Sequence, residues 1–178
     1  MAICINLFGG PGVGKSTLAA ELFTIFKKRG CNVEIATEYA KDLTYEERFN
    51  ILKKDQLYVF AKQRKKIDIL YKNADIVICE SPLLLSLVYA KFDDDQINHK
   101  FNELVQVCTN KYHNLDVWIP RNPAWYKNEG RIQTLQEAID IDNKILEIIP
   151  DGYLTYNNNP EEVALMILRG SFYCFNCA

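Results

Sequence analysis

The chain has 178 residues and a mass of 20.6 kDa, which fits one domain with at most a small inserted subdomain. It is 48% hydrophobic and 25% charged, ordinary globular usage that excludes wholesale disorder. Lys and Arg number 21 against 23 Asp and Glu, and this net charge of −2 excludes a strongly basic nucleic-acid coat while leaving a local basic cleft open.

Ala2–Phe8 is a short apolar run ending in glycines and reads as a buried strand. Ser16–Arg29 carries Leu18, Leu22, Ile25 and Phe26 at helical spacing, and Gly30 stops it. Asn32–Glu38 reads as a second strand. Thr44–Asn73 reads as mostly helical, with Thr44 and Glu47 spaced as a capping box. Asp75–Cys79 is a third strand, ended by Pro82. Ile97–Tyr112 reads as a helix and Leu115–Ile119 as a fourth strand. Arg121–Gly130 is polar and aromatic, with helix breakers at both ends, and reads as a loop. Thr134–Ile149 is a helix, Gly152–Tyr156 a fifth strand and Pro160–Leu168 a final helix. Strands separated by helices predict right-handed βαβ crossovers and an α/β fold whose parallel sheet is covered on both faces.

The longest apolar runs, such as Pro82–Ala90, fall far short of the roughly 20 residues of a membrane helix. The start, MAICINLFGG, lacks the basic n-region of a secretory signal, so the expected compartment is the cytosol. Cys4 and Cys79 lie in strands as small hydrophobes. Cys174 and Cys177 form a lone C-x-x-C without a second pair to complete a zinc site.

Gly9-Gly10-Pro11-Gly12-Val13-Gly14-Lys15-Ser16 matches G-x-x-x-x-G-K-[ST] in full, between an apolar strand and a helix. Glycines let successive backbone N–H groups point inward around a polyphosphate, and the helix adds the positive end of its dipole. Lys15 suits the β- and γ-phosphates and Ser16 suits Mg²⁺. Thr17 reads either as a helix N-terminal residue or as an α-phosphate contact.

Phosphoryl transfer also needs a metal, a positioned nucleophile and cations that follow the developing charge. Glu38 ends the second strand and Glu80 the third, so both face the crevice of the phosphate loop. Glu38 suits acceptance of a proton from an acceptor hydroxyl, and Glu80 suits a metal-bound water. Arg121 and Arg131, with Lys127 between them, read as cations of a lid over residues 121–133, since a guanidinium binds phosphate oxygens bidentately. Gln56 and Gln63 stand seven residues apart on one helical face, with Arg64 beside them. Amides suit a nucleobase edge, so these three are candidate substrate contacts. Lys53, Lys54, Lys62, Lys65 and Lys66 around them read as a solvated face or as a seat for a nucleic-acid backbone.

The phosphate loop, the E-Y-A at Glu38–Ala40, the C-E-S-P-L-L-L at Cys79–Leu85 and the G-R-I-Q-T at Gly130–Thr134 together resemble small P-loop kinase-like proteins, many of them phage-encoded. That group is similar to the nicotinamide-riboside-kinase-type AAA domain and, more distantly, to deoxynucleoside and thymidylate kinases. The resemblance spans roughly residues 1–168. It implies a P-loop NTPase three-layer αβα sandwich around a five-stranded parallel sheet of order 2-3-1-4-5. It further implies Lys15 and Ser16 as phosphate and Mg²⁺ contacts, Glu38 as general base, and Arg121 or Arg131 in the lid. Deoxynucleoside kinases carry Glu-Arg-Ser after the third strand. Here Ser81 follows Glu80 directly, so the arginine's role is either unfilled or moved, with Arg64 and Arg48 as the candidates.

The expectation is an ATP- and Mg²⁺-dependent kinase acting on a nucleoside or nucleotide. An alternative is a phage DNA-modification kinase acting on a hydroxymethyl-pyrimidine, with DNA as partner. An alternative of another class is a nucleotide-switched ATPase or GTPase module, against which no N-K-x-D guanine motif is found. The apolar tail Phe172, Tyr173, Phe175 leaves a homodimer open.

Overall fold

The computed structural model describes residues 2–125 and 134–170. Five strands, β1 (Ile3–Phe8), β2 (Val33–Ala36), β3 (Ile76–Cys79), β4 (Asn114–Trp118) and β5 (Leu154–Thr155), form one parallel sheet of order β2-β3-β1-β4-β5. β1 is central: Ile5 pairs with Ile78 on one side and Leu115 on the other. Being parallel, the strands end together, so the turns after β1, β2, β3 and β4 share one rim.

Among the described residues eight α-helices accompany them: α1 (Lys15–Lys28), α2 (Tyr39–Tyr45), α3 (Phe49–Lys54), α4 (Gln56–Tyr71), α5 (Ser86–Tyr89), α6 (Asp95–Thr109), α7 (Leu135–Ile148) and α8 (Pro160–Gly170). The period-two alternation of β1 sorts its side chains between two cores. Ile3, Ile5 and Leu7 join Leu18, Leu22 and Phe26 of α1 and Val163 and Ile167 of α8. Cys4 and Phe8 join Phe60 of α4, Phe101 and Val105 of α6 and Ile145 of α7. The sheet is thus covered on both faces, the condition under which an all-parallel sheet is stable. Asn6 shares the second face and is buried, but its Nδ2 donates to Asn114 Oδ1 at 3.0 Å and Asp116 Oδ1 at 2.8 Å. Cys4, Cys31, Cys79 and Cys108 are buried and outside any disulfide, and Cys174 and Cys177 lie outside the described residues, as does the tail at Phe172, Tyr173 and Phe175.

Residues 44–73 differ from the expected long helix. They break into α2, α3 and α4, because Glu47 takes a left-handed φ of 57° and Asp55 starts a new helix by accepting Tyr58 N–H at 3.0 Å. Thr44 and Glu47 therefore form no capping box. Thr44 sits inside α2, its hydroxyl donating back to Ala40 C=O at 3.0 Å. β2 ends at Ala36, two residues short of Glu38, which becomes the residue before α2. α6 starts at Asp95, earlier than expected, because Asp94 Oδ1 accepts Gln96 N–H at 2.7 Å and Ile97 N–H at 3.2 Å. Among the described residues, no helix is long and apolar enough to cross a membrane.

Candidate functional site

β1 ends in a core residue, Phe8, and the chain turns at once through the glycine loop into α1. Gly14 precedes that helix at φ 100°, a left-handed conformation that costs glycine nothing, and a Cβ there would meet nothing within 4 Å. Ser16 and Thr17 are exposed in the first turn, where helix N–H groups lack intrahelical partners. Lys15 folds back over the loop, and its Nζ donates to Gly9 C=O at 2.7 Å and Gly10 C=O at 3.0 Å. Burial lowers the pKa of this ammonium, while the carboxylates of Glu38, Asp142 and Glu80 work against that shift. Three acids from three elements therefore converge on the field of one lysine.

Glu38 is half-buried and makes no cap hydrogen bond to α2, so its carboxylate is not committed to that helix end. Glu80 is buried directly after β3, and its N–H is held by Ala36 C=O at 3.1 Å. Gln63, buried on α4, accepts Tyr39 N–H through Oε1 at 2.9 Å, which fixes the amide's orientation beside Glu38. Its Nε2 is buried with no hydrogen-bond partner. An orphaned buried donor is a costly arrangement.

The other substrate candidates have partners within the helices. Gln56 donates to Leu52 C=O at the end of α3. Arg64 pairs with Asp68 at 3.0 Å, and Asp68 also accepts the Tyr112 hydroxyl at 2.6 Å, just ahead of the start of β4 and so toward the rim opposite the loop. Arg48 is bound to exposed Glu46 at 3.0 Å. Of the lysine face, Lys62 and Lys66 lie over the rings of Tyr58 and Tyr39, and Lys66 also reaches Asp42.

Arg121 differs most from expectation. It is not extended as a lid cation. Its side chain is 6% exposed and forms an ion pair with Asp142 of α7, itself 9% exposed. Nε donates to Oδ2 and Nη2 to Oδ1 at 3.2 Å, while Nη1 donates to Pro11 C=O at 2.8 Å. Asp142 Oδ1 also accepts Gly10 N–H at 2.7 Å. Gly10 is required here: a Cβ would stand 2.5 Å from Asp142 Oδ1 and 2.9 Å from Arg121 Nη2. Gly10→Ala is therefore expected to cost about 1–3 kcal/mol by overpacking, measured by denaturant unfolding. An unchanged midpoint would contradict that tight approach. Arg131 and Lys127 lie outside the described residues.

Two residues of the crevice went unmarked in the sequence. Asp142 had a readable signal: it stands on the buried stripe of α7 with Ala138 and Ile145, where an acid is out of place. Tyr89 had none. The residue is exposed overall, but its hydroxyl end is desolvated, which raises its pKa first, and the nearby charges of Glu38 and Asp142 raise it further.

The family model described as AAA domain (AAA_28) matches residues 4–163, most of the chain. The chain belongs to this family. No curated protein sequence matches significantly. Solved structures share the fold at low identity. Deoxyadenosine kinase from M. mycoides, with dCMP and dCDP bound, has a TM-score of 0.59 and 19% identity, covering 94% of this chain and 97% of that one. NadR in complex with NAD and AMP-PNP gives 0.61 and 21%, covering 97% of this chain but 51% of its own. Shikimate kinase from Acinetobacter baumannii in complex with shikimate gives 0.55 and 15%, covering 97% of each. With the sheet order and flanking helices, these establish a P-loop kinase-like fold.

Proposed function

We propose that the chain is an ATP- and Mg²⁺-dependent kinase that transfers a γ-phosphoryl group to a nucleoside or nucleotide. The observation that carries this reading is the glycine loop with Lys15 folded over it, Nζ on the Gly9 and Gly10 carbonyls, and the carboxylates of Glu38 and Glu80 near enough to bias that ammonium. Transfer by such a site is mostly positioning and electrostatics. The loop amides and Lys15 hold the triphosphate, and Lys15 leaves the Gly9 and Gly10 carbonyls to follow charge onto the γ-phosphoryl oxygens. Glu38 accepts the proton of the acceptor hydroxyl as its oxygen attacks phosphorus and ADP departs. The Gln63 amide offers its unpartnered Nε2 to an acceptor atom of the substrate.

Mg²⁺ fits the donor set: an exposed Ser16 hydroxyl and the Glu80 carboxylate. Such an ion keeps several waters and takes further oxygens from the substrate phosphates. When bound, Mg²⁺ would neutralise charge on the β- and γ-oxygens.

The lowered pKa of Lys15 has a signed consequence. Its protonated form grips phosphate, so ATP affinity falls on the alkaline side below the 10.5 of an ordinary lysine. Over the same interval the unfolded chain holds more protons than the folded one, so stability rises with pH there. Calorimetric affinities between pH 7 and pH 10 check the first part, and Lys15→Arg, which stays charged, flattens the curve. A wild-type affinity constant to pH 10 would contradict it.

Transfer of label from [γ-³²P]ATP to a panel of nucleosides, nucleotides and hydroxymethyl-pyrimidine DNA tests the reading. Labelling of a free nucleoside or nucleotide supports it. Labelling of DNA alone, or of no acceptor, overturns it.

A further inference from the structure

Behind the phosphate loop stands a charge pair with no part in the transfer chemistry. Asp142 and Arg121 each hold one backbone group at the loop's start, and the two groups have opposite polarity. The carboxylate takes the Gly10 N–H and the guanidinium takes the Pro11 C=O. A carboxylate only accepts and a guanidinium only donates, so neither residue can do the other's work. Arg121 also reaches back to Ala138 C=O at 3.4 Å, which fastens the pair to α7. The pair is buried, and its charges cancel, so it does not repel an anion in the loop.

We propose that Asp142 is a positioning residue of the nucleotide site. It holds Gly10 and Arg121 in place, and through them fixes the loop in the shape that grips a polyphosphate, without touching the ligand. The inference rests on the reading that this loop binds a triphosphate. It also assigns Arg121 to the brace rather than to the lid, with Asp142 as the residue that keeps it there.

Three variants of the full chain separate the contacts. Asp142→Asn keeps an oxygen for Gly10 N–H but removes the charge opposite Arg121. Asp142→Ala removes both. The swap Arg121→Asp with Asp142→Arg restores opposite charges but sets a donor against Gly10 N–H. Amide exchange at Gly10 without nucleotide, MgATP affinity by calorimetry and the melting temperature are read for each. Gly10 is expected to be protected in the wild type and in Asp142→Asn, and unprotected in the other two. ATP affinity is expected to fall about 10–100-fold in Asp142→Ala, less in Asp142→Asn, with no rescue by the swap. Unchanged affinity alongside a lowered melting temperature would make Asp142 merely structural and overturn the proposal, as would full rescue by the swap. If Asp142→Ala does not fold, Asp142→Asn decides: a weakened affinity with Gly10 protected supports the proposal, and wild-type affinity overturns it. An unprotected Gly10 amide in the wild type overturns the brace itself, whatever ATP does. A protected Gly10 in a wild type that binds no triphosphate overturns the nucleotide reading and the proposal with it.

Discussion

Glu38→Gln is expected to cut turnover about 10²–10⁴-fold while leaving ATP affinity within a factor of about two. The substitution keeps the size of the side chain and its ability to accept a hydrogen bond, but the amide cannot take the proton of an attacking hydroxyl. The residue is half-buried at the exit of β2 and unbonded to the α2 N-terminus, so the loss should fall on chemistry rather than on folding. A second signature follows from its neighbour. Glu38 is the largest of the charges that hold the Lys15 pKa up against burial. Its removal lets that pKa fall further, and the alkaline limb of the rate profile moves to lower pH. Steady-state kinetics across pH check both effects. Turnover unchanged in Glu38→Gln would reduce the residue to a helix-start position.

Arg121→Ala is expected to destabilise the protein by about 3–5 kcal/mol, because it strands the Asp142 carboxylate in a buried site without its cation. The contrast with the lid expectation is sharp. A lid arginine is exposed until ligand arrives, and truncating it would leave stability nearly unchanged while weakening ATP binding. In the structure the guanidinium is enclosed among Asp142, Pro11 and Ala138. Chemical denaturation of Arg121→Ala without nucleotide distinguishes the two. A loss below about 0.5 kcal/mol, the range of an ordinary surface substitution, would contradict the buried pair.

These two residues show how far the sequence could be read. The loop and sheet were legible because their signals are local: a glycine turn between an apolar strand and an amphipathic helix, and strands separated by helices. Glu38 and Glu80 could be placed at the rim because strand ends are local too. Arg121 was legible in position but not in partner. Its carboxylate lies 21 residues on, across a crossover, and no spacing rule links a loop cation to an acid on a helix. The acid on the apolar stripe of α7 was the available hint that something cationic had to be buried with it. The break between α3 and α4 had a hint as well, since Asp55 followed by Gln-Leu-Tyr is a helix start. The break after α2 had none, because Glu47 adopts a left-handed backbone that its residue type does not announce. Gln63 was marked for its amide, but only packing reveals that half of that amide is committed to Tyr39 and the other half is not. Arg64 illustrates the reverse: an acid four residues on gave it a partner on its own helix, and the helical pair won.

The account turns on Lys15 and the glycine loop gripping a triphosphate. Equilibrium binding of MgATP to the wild type and to Lys15→Ala measures this directly. The wild type is expected to bind and Lys15→Ala to bind about 10–100-fold more weakly, the cost of losing a charge-assisted contact. Equal affinity in the two proteins would contradict it.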